Sequence, residues 1–456
     1  MKLKSLARSF QIKGSKEVEV TGISSDSRTV APGNLFIAKR GGTFDGAQFI
    51  LQAIKAGAVA VVTDLYDPFL QVSQVIHPSP HLIEATLAAR YYKEPSKELF
   101  VVGVTGTKGK TTTTYLIQHA LGPACGLTST VETVIGDHRV DSTLTTHDVI
   151  ANQKVLREMV QRGCKEAVLE VSSHGLVQHR VDEISFDVGV FTNLYPDHLD
   201  YHLTLEEYAA AKRQLFERAK KGIFNADSPW ASFMGRGLTF GIEQGEIRAE
   251  NLQLGAERTQ FCVQGVSFTM PLIGRFNVYN ALAAIAVGLE RGKTLQGLSA
   301  SLATFGSVPA RLQRMRNVFI DFAHTGDALA NVLSTLKEIA RGKVIVVFGC
   351  GGNRDPQRRV GMAKAADALA DVSIITNDNP RKEDPQEIAR QIVSEFRAPP
   401  LVELDRKKAI EMALRMARPE DLVLIAGKGH ERMQIFSEQT IPFDDAEVVR
   451  NALRCV

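Results

Sequence analysis

The sequence predicts an α/β protein with three domains: a small N-terminal α/β domain, a central domain built on a P-loop ATPase-like parallel sheet, and a C-terminal Rossmann-like, doubly wound domain. A chain of 456 residues is too long for one compact core. Short apolar runs of strand length alternate with helical stretches. That alternation restarts twice, so we expect the domains at residues 1–96, 97–308 and 309–456.

The composition argues against several classes of protein. Hydrophobic residues make up 44% and charged residues 23% of the chain, and a net charge of +3 gives no basic footprint for nucleic acid. The five cysteines are scattered without a CxxC pair, which favours reduced thiols over disulfides or a zinc site. The N-terminus lacks the apolar stretch of a signal peptide, and no apolar run reaches the ~18 residues of a membrane span. We expect a cytoplasmic protein without a membrane span, and we expect a monomer.

The N-terminal region combines strand and helix signals. A strand is predicted at the end of Pro32–Ala38, after a Pro-Gly turn, and another at Ala58–Thr63. Helices are predicted over Phe49–Gly57, which ends in a glycine, and around Leu82–Tyr92. The next predicted strand, Leu99–Val104, begins a new α/β unit.

A glycine loop between that buried strand and a helix is the most informative motif of the chain. The loop Thr105–Thr111 carries glycines at 106 and 109. Its backbone N–H groups and the positive end of the helix make a phosphate cradle, to which Lys110 adds a charge and Thr111 a hydroxyl suited to Mg²⁺. Val104 stands where the full Walker pattern has its first glycine. Taken alone, the motif would serve any ATPase or kinase.

Two further predicted strands end near side chains that suit catalysis. The strand Glu166–Ser172 contains Glu170, and the strand Val188–Asn193 is soon followed by His198. The carboxyl ends of parallel strands meet at one edge of a sheet. We therefore expect Glu170, Asn193 and His198 beside the phosphate loop, with Glu170 placed to hold Mg²⁺.

Other polar residues of the central region are ambiguous from the sequence. His202 is interpreted as structural, and Lys212, inside the predicted helix Thr204–Phe216, as a solvated helix lysine. Gln178 and Arg180 would suit an anionic or amide-bearing substrate, but surface positions are an equal alternative.

The last part of the central region departs from the α/β alternation. Residues 236–272 are rich in Gly, Gln and Thr and predict short β pieces laid on the sheet. Asn277–Leu289 returns to a helical pattern. Around Ser307–Ala310 the alternation restarts.

The C-terminal region predicts a doubly wound sheet whose strand ends carry charges of both signs. Its buried strand signals are Val318–Asp321, Lys343–Phe348, Val372–Thr376 and Leu422–Ala426. Three strand ends bring together Arg354, Asp378, Asn379, Arg381 and Glu431. Such a set suits a zwitterionic ligand, with Arg for its carboxylate and Asp or Glu for its ammonium, although plain turn chemistry is an alternative. The glycines of Phe348–Asp355 lack GxGxxG order, so a dinucleotide site is not supported.

Together these stretches resemble the Mur ligase superfamily and, within it, the MurE type, over essentially the whole chain in colinear order. The matching blocks are Thr105–Thr111, Glu170–Arg180, Asp197–His202, Leu272–Asn280, Asp321–His324 and Ala426–Glu431. The most discriminating tetrapeptide, Asp378–Arg381, resembles the MurE signature for meso-diaminopimelate as against L-lysine. The resemblance implies ATP-dependent addition of meso-diaminopimelate to UDP-N-acetylmuramoyl-L-alanyl-D-glutamate, through an acyl phosphate, in peptidoglycan precursor synthesis.

The resemblance also implies a role for each matching position. ATP would be bound by Gly106, Thr107, Lys108, Gly109, Lys110, Thr111, Thr112, Asn277, Asn280 and Asp321. The catalytic residues would be Lys110, Lys212, His198 and Glu170, and the Mg²⁺ ligands Thr111, Glu170, His198 and Lys212. The UDP-muramoyl dipeptide would contact Ser27, Gly42, Thr43, Phe44, Thr145, Thr146, Ser172, Gln178 and Arg180. The incoming diamino acid would contact Arg354, Asp378, Asn379, Pro380, Arg381, Gly427 and Glu431.

The resemblance replaces the solvated interpretation of Lys212. This residue falls on the lysine that the family carbamylates with CO₂. A carbamate on Lys212 would be an anion able to help position Mg²⁺, which an ammonium group could not do.

Some positions depart from the family pattern, and some alternatives stay open. Lys108 and Leu144 stand where Asn is usual, Gln313 replaces Glu, and Gly326 replaces Pro. The alternatives are a lysine-adding MurE, a folylpolyglutamate synthase-like ligase, and a nucleotide-binding relative without catalysis. The serine-rich N-terminal segment and the Asp378 tetrapeptide argue against the first two. The intact set of Lys110, Glu170, His198 and Lys212 argues against the third.

Overall fold

Residues 1–39 and 45–454 are described by the computed structural model. Their contacts divide the described chain into two units, Met1–Arg248 with Tyr279–Leu298, and Ala249–Val278 with Ser299–Val456. The division at residues 96 and 308 that the sequence predicts stays a prediction. Within the described ranges, none of the helices has the length and apolar character needed to cross a membrane.

The N-terminal sheet of the first unit is parallel except at one edge. Its strands lie in the order Gln11–Lys13, Ser73–Ile76, Ala60–Thr63, Asn34–Ile37 and Gly22–Ser24. Gln11–Lys13 pairs antiparallel, and the other neighbours pair in parallel. Along Asn34–Ile37, Leu35 and Ile37 enter one apolar cluster and Phe36 enters another. This alternation is that of a strand covered on both faces.

The large sheet of the first unit places three loops at one edge. Its strands lie in the order Ile247–Arg248, Leu238–Gly241, Ala219–Asn225, Phe186–Phe191, Phe100–Thr105, Glu166–Glu170, Cys125–Thr128, Glu132–Ile135 and His138–Asp141. Pairing is parallel through Cys125–Thr128 and antiparallel beyond it. Phe100–Thr105 lies between Glu166–Glu170 and Phe186–Phe191, so the loops that follow these three strands share one sheet edge.

Helices connect the strands of both units. The α-helices of the described chain are Leu3–Leu6, Ile50–Lys55, Pro80–Tyr91, Lys110–Leu121, Val149–Gln161, Ser173–Val177, Leu199–His202, Leu205–Arg218, Ala231–Met234, Arg275–Glu290, Leu295–Ala303, Gly326–Ile339, Gln357–Leu369, Pro385–Val393, Arg406–Met416 and Asp445–Arg454. Short 3₁₀ turns lie at Ser27–Thr29, Gly46–Phe49 and Pro95–Lys97. Helix Leu205–Arg218 begins after Thr204, whose hydroxyl accepts a hydrogen bond from the N–H of Glu207 at 3.1 Å.

The segment 236–272 confirms one expectation from the sequence and adds to it. Leu238–Gly241 and Ile247–Arg248 extend the large parallel sheet at its edge. The strands after them, Glu250–Leu254, Thr259–Val263 and Val266–Met270, form an antiparallel sheet of their own in the second unit. The prediction of short β pieces is thus confirmed, whereas a sheet of their own for the last three was not predicted. The reason is local, because Gln264 and Gly265 both have positive φ and close a two-residue hairpin.

The sheet at the C-terminal end of the chain confirms the doubly wound prediction. Its strands lie in the order Gln313–Met315, Val318–Asp321, Leu422–Ala426, Val344–Phe348, Val372–Ile375 and Leu401–Val402, and a hairpin of Met433–Ile435 and Thr440–Pro442 follows. Along Val344–Phe348, alternate residues enter two different apolar clusters, so both faces are covered. Leu422–Ala426 lies between Val318–Asp321 and Val344–Phe348, which puts the loops after these strands at one edge.

Candidate functional site

Two glycines of the phosphate loop have backbone conformations and close contacts that disfavour any side chain. Gly106 has φ +150° and Gly109 has φ +82°. A Cβ atom on Gly106 would lie 1.9 Å from Thr192 Oγ1, and one on Gly109 would lie 2.5 Å from Asn280 Oδ1. The helix Lys110–Leu121 begins directly after Gly109, so the first N–H groups of the helix belong to the loop. Strand, loop and helix thus follow one another in the order that the sequence predicts, and anion binding by the loop stays a prediction.

Two lysines converge on one carbonyl of this loop. Lys110 Nζ donates to the carbonyl oxygens of Gly106 at 3.0 Å and Thr107 at 3.1 Å, and Lys212 Nζ donates to Gly106 at 2.9 Å. The interpretation of Lys212 as solvated is wrong, since it is 1% exposed and lies on the buried face of its helix with Tyr208. Burial holds the pKa of Lys212 well below its ordinary value, and the charge of Lys110 lowers it further.

Glu170 and Thr111 provide oxygen atoms next to the loop. The Thr111 hydroxyl lies 3.0 and 3.2 Å from the two carboxylate oxygens of Glu170, which also accepts from the N–H of Thr130 at 2.9 Å. A hydroxyl and a carboxylate are ligands that Mg²⁺ prefers, so this donor set fits that ion. In the described parts of the chain there is no group of three or more His, Cys, Asp or Glu side chains that could hold a metal. A cation here would complete its coordination with further oxygen atoms, from water or from a bound ligand.

The loop that follows Phe186–Phe191 is tied to the phosphate loop at Lys108. Asn193 Oδ1 accepts from the N–H of Lys108 at 2.9 Å, and the Lys108 ammonium lies 3.7 Å from Asp197 Oδ2. His198 follows with φ +55°, and its ring meets that of His174 edge to face at 4.9 Å. Burial lowers the pKa of His198 against the opposing effect of Asp197. The unusual Lys108 thus has a partner on the loop that carries His198.

Four of the residues assigned to the muramoyl-dipeptide end lie together after Glu166–Glu170. The Thr146 hydroxyl donates to the Glu170 carbonyl at 3.0 Å and accepts from the N–H of Ser172 at 2.9 Å. Arg180 donates to the Thr146 carbonyl at 2.9 Å and to Gln178 Oε1 at 2.6 Å. The carboxylate beside the phosphate loop and this polar cluster therefore share one strand end.

The remaining substrate positions are less closely grouped. The Thr145 hydroxyl accepts from the Thr130 hydroxyl at 3.1 Å, and Thr130 also contacts Glu170. Ser27 donates to Gln52 Oε1 at 3.1 Å in the N-terminal part of the unit. Gly42, Thr43 and Phe44 lie outside the described residues.

The residues assigned to adenine and ribose are buried and hydrogen-bonded. Asn280 accepts from the Thr113 hydroxyl at 3.1 Å, which connects it to the phosphate-loop helix. Asn277, on the same helix Arg275–Glu290, donates to a backbone carbonyl at 2.8 Å. Asp321 accepts from two backbone N–H groups at 2.7 and 2.8 Å. The contacts of these residues with a nucleotide stay a prediction.

A cavity of about 150 Å³ lies at the edge of the C-terminal sheet. Its lining includes the predicted residues Arg354, Asp378, Asn379, Arg381, Gly427 and Glu431. It also includes Phe322, His324, Cys350, Asp355 and Arg358, which the sequence did not single out. Pro380 is buried beside these residues. The structure thus collects the predicted zwitterion-binding residues in one place.

The charges around the cavity are mixed in sign. Asp378 is 8% exposed, and in the described chain no hydrogen-bond donor reaches its carboxylate. Burial raises the pKa of Asp378, against the positive charges of Arg406 and Lys428. Gly427 has φ +107°, and a Cβ atom on it would lie 2.7 Å from Asp378 Oδ2. Arg381 is fixed at the rim by a 2.9 Å hydrogen bond to a backbone carbonyl. An ammonium group would find a buried carboxylate here, and a carboxylate would find arginines.

Family comparisons cover nearly the whole chain. The family models for the Mur ligase family catalytic domain, the Mur ligase middle domain and the Mur ligase glutamate ligase domain match residues 19–94, 104–288 and 310–429. The chain is 44% identical over 461 residues to the UDP-N-acetylmuramoyl-L-alanyl-D-glutamate–2,6-diaminopimelate ligase of Chlamydia felis, covering 96% of this chain and 95% of the relative. The chain belongs to the Mur ligase family.

This Mur ligase is also similar to a second named ligase and to solved structures. The ligase of the same name from Caldanaerobacter subterraneus subsp. tengcongensis is 40% identical over 97% of this chain and 96% of its own. A solved structure of a UDP-N-acetylmuramoyl-L-alanyl-D-glutamate–2,6-diaminopimelate ligase matches with a TM-score of 0.71 and 30% identity, covering 100% of this chain and 99% of that chain. The Mycobacterium tuberculosis folylpolyglutamate synthase matches with a TM-score of 0.64 and 18% identity over 76% of this chain and 92% of its own, which shows the shared fold alone.

Some residues of this Mur ligase that approach the candidate sites were missed from the sequence. Asp355 and Arg358 follow the same strand as Arg354. Their position after that strand could have predicted that they line the cavity. His324 lies in a block that resembled the family but received no role. Lys428 stands in another such block, and its burial could not be read from a Gly-Lys-Gly turn.

Proposed function

We propose that this chain adds meso-diaminopimelate to UDP-N-acetylmuramoyl-L-alanyl-D-glutamate with hydrolysis of ATP to ADP and phosphate. The observation that carries the proposal is the cavity in which Arg354 and Arg381 meet Asp378 and Glu431. Meso-diaminopimelate carries a second carboxylate and ammonium pair at the end that does not react, whereas lysine lacks that carboxylate. Full-length relatives named for this reaction support the proposal. We also propose that the protein acts as a cytoplasmic monomer.

In the first step the substrate carboxylate attacks the γ-phosphate of ATP, which gives an acyl phosphate and ADP. The loop N–H groups and Lys110 bind the phosphates and offset the charge that develops during transfer. Thr111 and Glu170 would hold Mg²⁺, with His198 nearby, and the ion would supply further charge neutralisation. Thr146, Ser172, Gln178 and Arg180 orient the dipeptide end so that its carboxylate meets the phosphate.

Lys212 would act as a carbamate. Burial favours its neutral amine, which is the form that attacks CO₂. The new N–C bond forms with loss of one proton and converts the side chain into an anion. That anion would complete the oxygen ligands beside Thr111 and Glu170, whereas an ammonium group would repel Mg²⁺.

In the second step the free amine of the diamino acid attacks the acyl carbon. Phosphate leaves through a tetrahedral intermediate, and the amine loses a proton as the amide forms. Asp378 and Glu431 bind the distant ammonium group, while the arginines bind its carboxylate. Orientation by these pairs lets the reacting amine approach before water reaches the acyl phosphate.

The proposal is tested by ADP release with the UDP-dipeptide and either meso-diaminopimelate or L-lysine. We expect turnover with diaminopimelate and a kcat/KM at least roughly 10²-fold lower with lysine. A preference for lysine would contradict the amino-acid assignment. No turnover with either amino acid would favour a nucleotide-binding relative without catalysis.

A further inference from the structure

Lys428 is a buried cation next to Asn379 and Glu431. Both of these line the cavity of about 150 Å³ at the edge of the C-terminal sheet, which we call the amino-acid cavity. Lys428 follows strand Leu422–Ala426 and is 0% exposed. Its ammonium group donates to Asn379 Oδ1 at 3.0 Å and to the Met433 carbonyl at 2.7 Å, and lies 3.4 Å from Glu431 Oε2. One side chain therefore joins two segments at the edge of the sheet, the one that carries Asn379 and the one that carries Lys428 itself, Glu431 and Met433.

Asn379 is held by this cation and does not point freely into the cavity. Its Oδ1 atom accepts from Lys428 and from the N–H of Ile435 at 3.0 Å, which uses both lone pairs. Its Nδ2 atom donates to Glu431 Oε2 at 2.7 Å. Lys428 thus fixes the amide of Asn379, and that amide in turn fixes the carboxylate of Glu431.

Glu431 is left with one oxygen for a ligand. Oε2 accepts from Asn379 and faces Lys428, which fixes the plane of the carboxylate. In the described chain no donor reaches Oε1, and Glu431 lines the cavity with 38% of its side chain exposed. A carboxylate fixed at one oxygen presents the other in a defined direction.

The charge of Lys428 also balances the cavity. Two acidic side chains, Asp378 and Glu431, line the same small space. Burial lowers the pKa of Lys428, but the negative charge of Asp378 opposes this effect. A cation at this position reduces the repulsion between the two carboxylates before a ligand arrives.

We propose that Lys428 is a positioning residue for the incoming amino acid, which acts by fixing Asn379 and the carboxylate of Glu431. The inference rests on the proposed function, because it names what orients the ammonium-binding side of that cavity. Lys428 is not among the described residues that line the cavity, so it acts on the substrate only through its neighbours. Its effect should appear in the recognition of the amino acid and should leave ATP and the UDP-dipeptide unaffected.

The test compares Lys428→Met and Lys428→Gln with the matched control Lys364→Met, whose lysine is 67% exposed in the same unit. We expect the KM for meso-diaminopimelate to rise at least roughly 10-fold in both Lys428 variants, or about 1.4 kcal/mol. The KM values for ATP and the UDP-dipeptide should stay within about 2-fold of wild type. Lys428→Gln should be the milder change, because it retains a donor for Asn379.

A double variant separates positioning from a general structural role. If Lys428 acts through Glu431, the amino-acid KM of Lys428→Met/Glu431→Gln should not exceed that of Glu431→Gln alone. Equal rises in all three KM values, an unchanged amino-acid KM, or loss of folding in both Lys428 variants would overturn the inference. Absence of turnover in the wild type would overturn the proposed function and this inference with it, whereas wild-type turnover without the selective effect would overturn the inference alone.

Discussion

Single residues show where sequence reasoning ends at this site. The placement of Lys110, Glu170 and Arg381 at the ends of strands could be predicted, because each stands next to an apolar strand signal or a glycine loop. The burial of Lys212 could not, since a lysine in a helix with acidic neighbours is usually exposed. Only the packing of its helix face removes it from water. The partner of Lys108 was equally hidden, because Asp197 lies 3.7 Å away in space but on another loop.

Lys212→Ala tests the carbamate. We expect kcat to fall by roughly 10²-fold or more, because the variant would lose the proposed carbamate anion beside the phosphate loop. Added formate or acetate should restore part of the rate by occupying the vacated space. The control is Lys220→Ala, which removes a lysine that is 69% exposed and should leave kcat unchanged. Full activity of Lys212→Ala would contradict the carbamate role.

His202 makes the stability of the fold depend on pH. It is 5% exposed and its Nε2 atom lies 2.9 Å from the Ser173 hydroxyl, and burial lowers the pKa of His202 from 6.5 to about 4. The folded state favours the neutral ring. The contribution of neutral His202 to the free energy of unfolding is therefore complete above pH 6.5 and is lost as the pH falls toward 4.

The measurement is chemical unfolding of wild type and His202→Phe between pH 7.5 and 4.5. The free energy of unfolding of the wild type should fall relative to that of the variant, by at most about 1.4 kcal/mol per pH unit. A difference between the two proteins that does not vary with pH would show that His202 does not titrate in this way.

At the scale of elements, the sequence predicted more of the strands than of their pairing. Apolar runs located Phe100–Thr105, Val344–Phe348 and Leu422–Ala426, because strands covered on both faces are continuously hydrophobic. Apolar runs do not say which strands pair, and so the separate sheet, in which Glu250–Leu254, Thr259–Val263 and Val266–Met270 pair in sequence order, was missed. The edge on which the candidate sites lie was predictable because strand direction alone determines it.

Two glycines of one helix separate the effect of strain from that of a close approach. Gly109 and Gly122 flank Lys110–Leu121 with φ +82° and +105°, but only at Gly109 would a Cβ atom meet a neighbour, Asn280 Oδ1 at 2.5 Å. Gly109→Ala should raise the KM for ATP about 10-fold. Gly122 has φ +105° and ψ −173°, a conformation that essentially only glycine adopts, so Gly122→Ala should cost about 1–3 kcal/mol of stability without that change. The double variant Gly109→Ala/Asn280→Ala removes the contact between the new Cβ atom and Asn280. If that contact, and not the positive φ of Gly109, weakens ATP binding, the double variant should bind ATP as tightly as Asn280→Ala.

The C-terminal helix Asp445–Arg454 is fixed by a buried ion pair. Arg406 and Asp445 are both 0% exposed at the side chain, with contacts of 2.8 Å, and Arg406 also donates to the Ala426 carbonyl at 2.9 Å. Asp445→Asn leaves a buried cation without its partner and should cost about 3–5 kcal/mol in chemical unfolding. The partly exposed pair Glu411–Arg415 provides the control, since Glu411→Gln should cost less than about 1 kcal/mol.

At the scale of the whole molecule, the residues assigned to the two chemical steps belong largely to different units. The phosphate loop, Glu170 and Lys212 lie in the first unit, and the amino-acid cavity lies in the second. Arg381→Ala should therefore leave the rate of acyl phosphate formation within about 2-fold while it lowers amide formation at least roughly 10-fold. Trapping the acyl phosphate with hydroxylamine, with and without the amino acid, measures the two rates. Equal losses in both would contradict this division.

The order of segments in the two units has a consequence for synthesis on the ribosome. The chain leaves the first unit after Arg248, returns at Tyr279 and leaves again after Leu298. The nascent chain cannot complete the contacts of its first unit until Leu298 has emerged. By then Ala249–Val278 has already been synthesised, but its contacts within the second unit need Ser299 and the residues beyond it. During translation one unit usually folds before the next is made, but here the first unit cannot be completed until Leu298 has been synthesised.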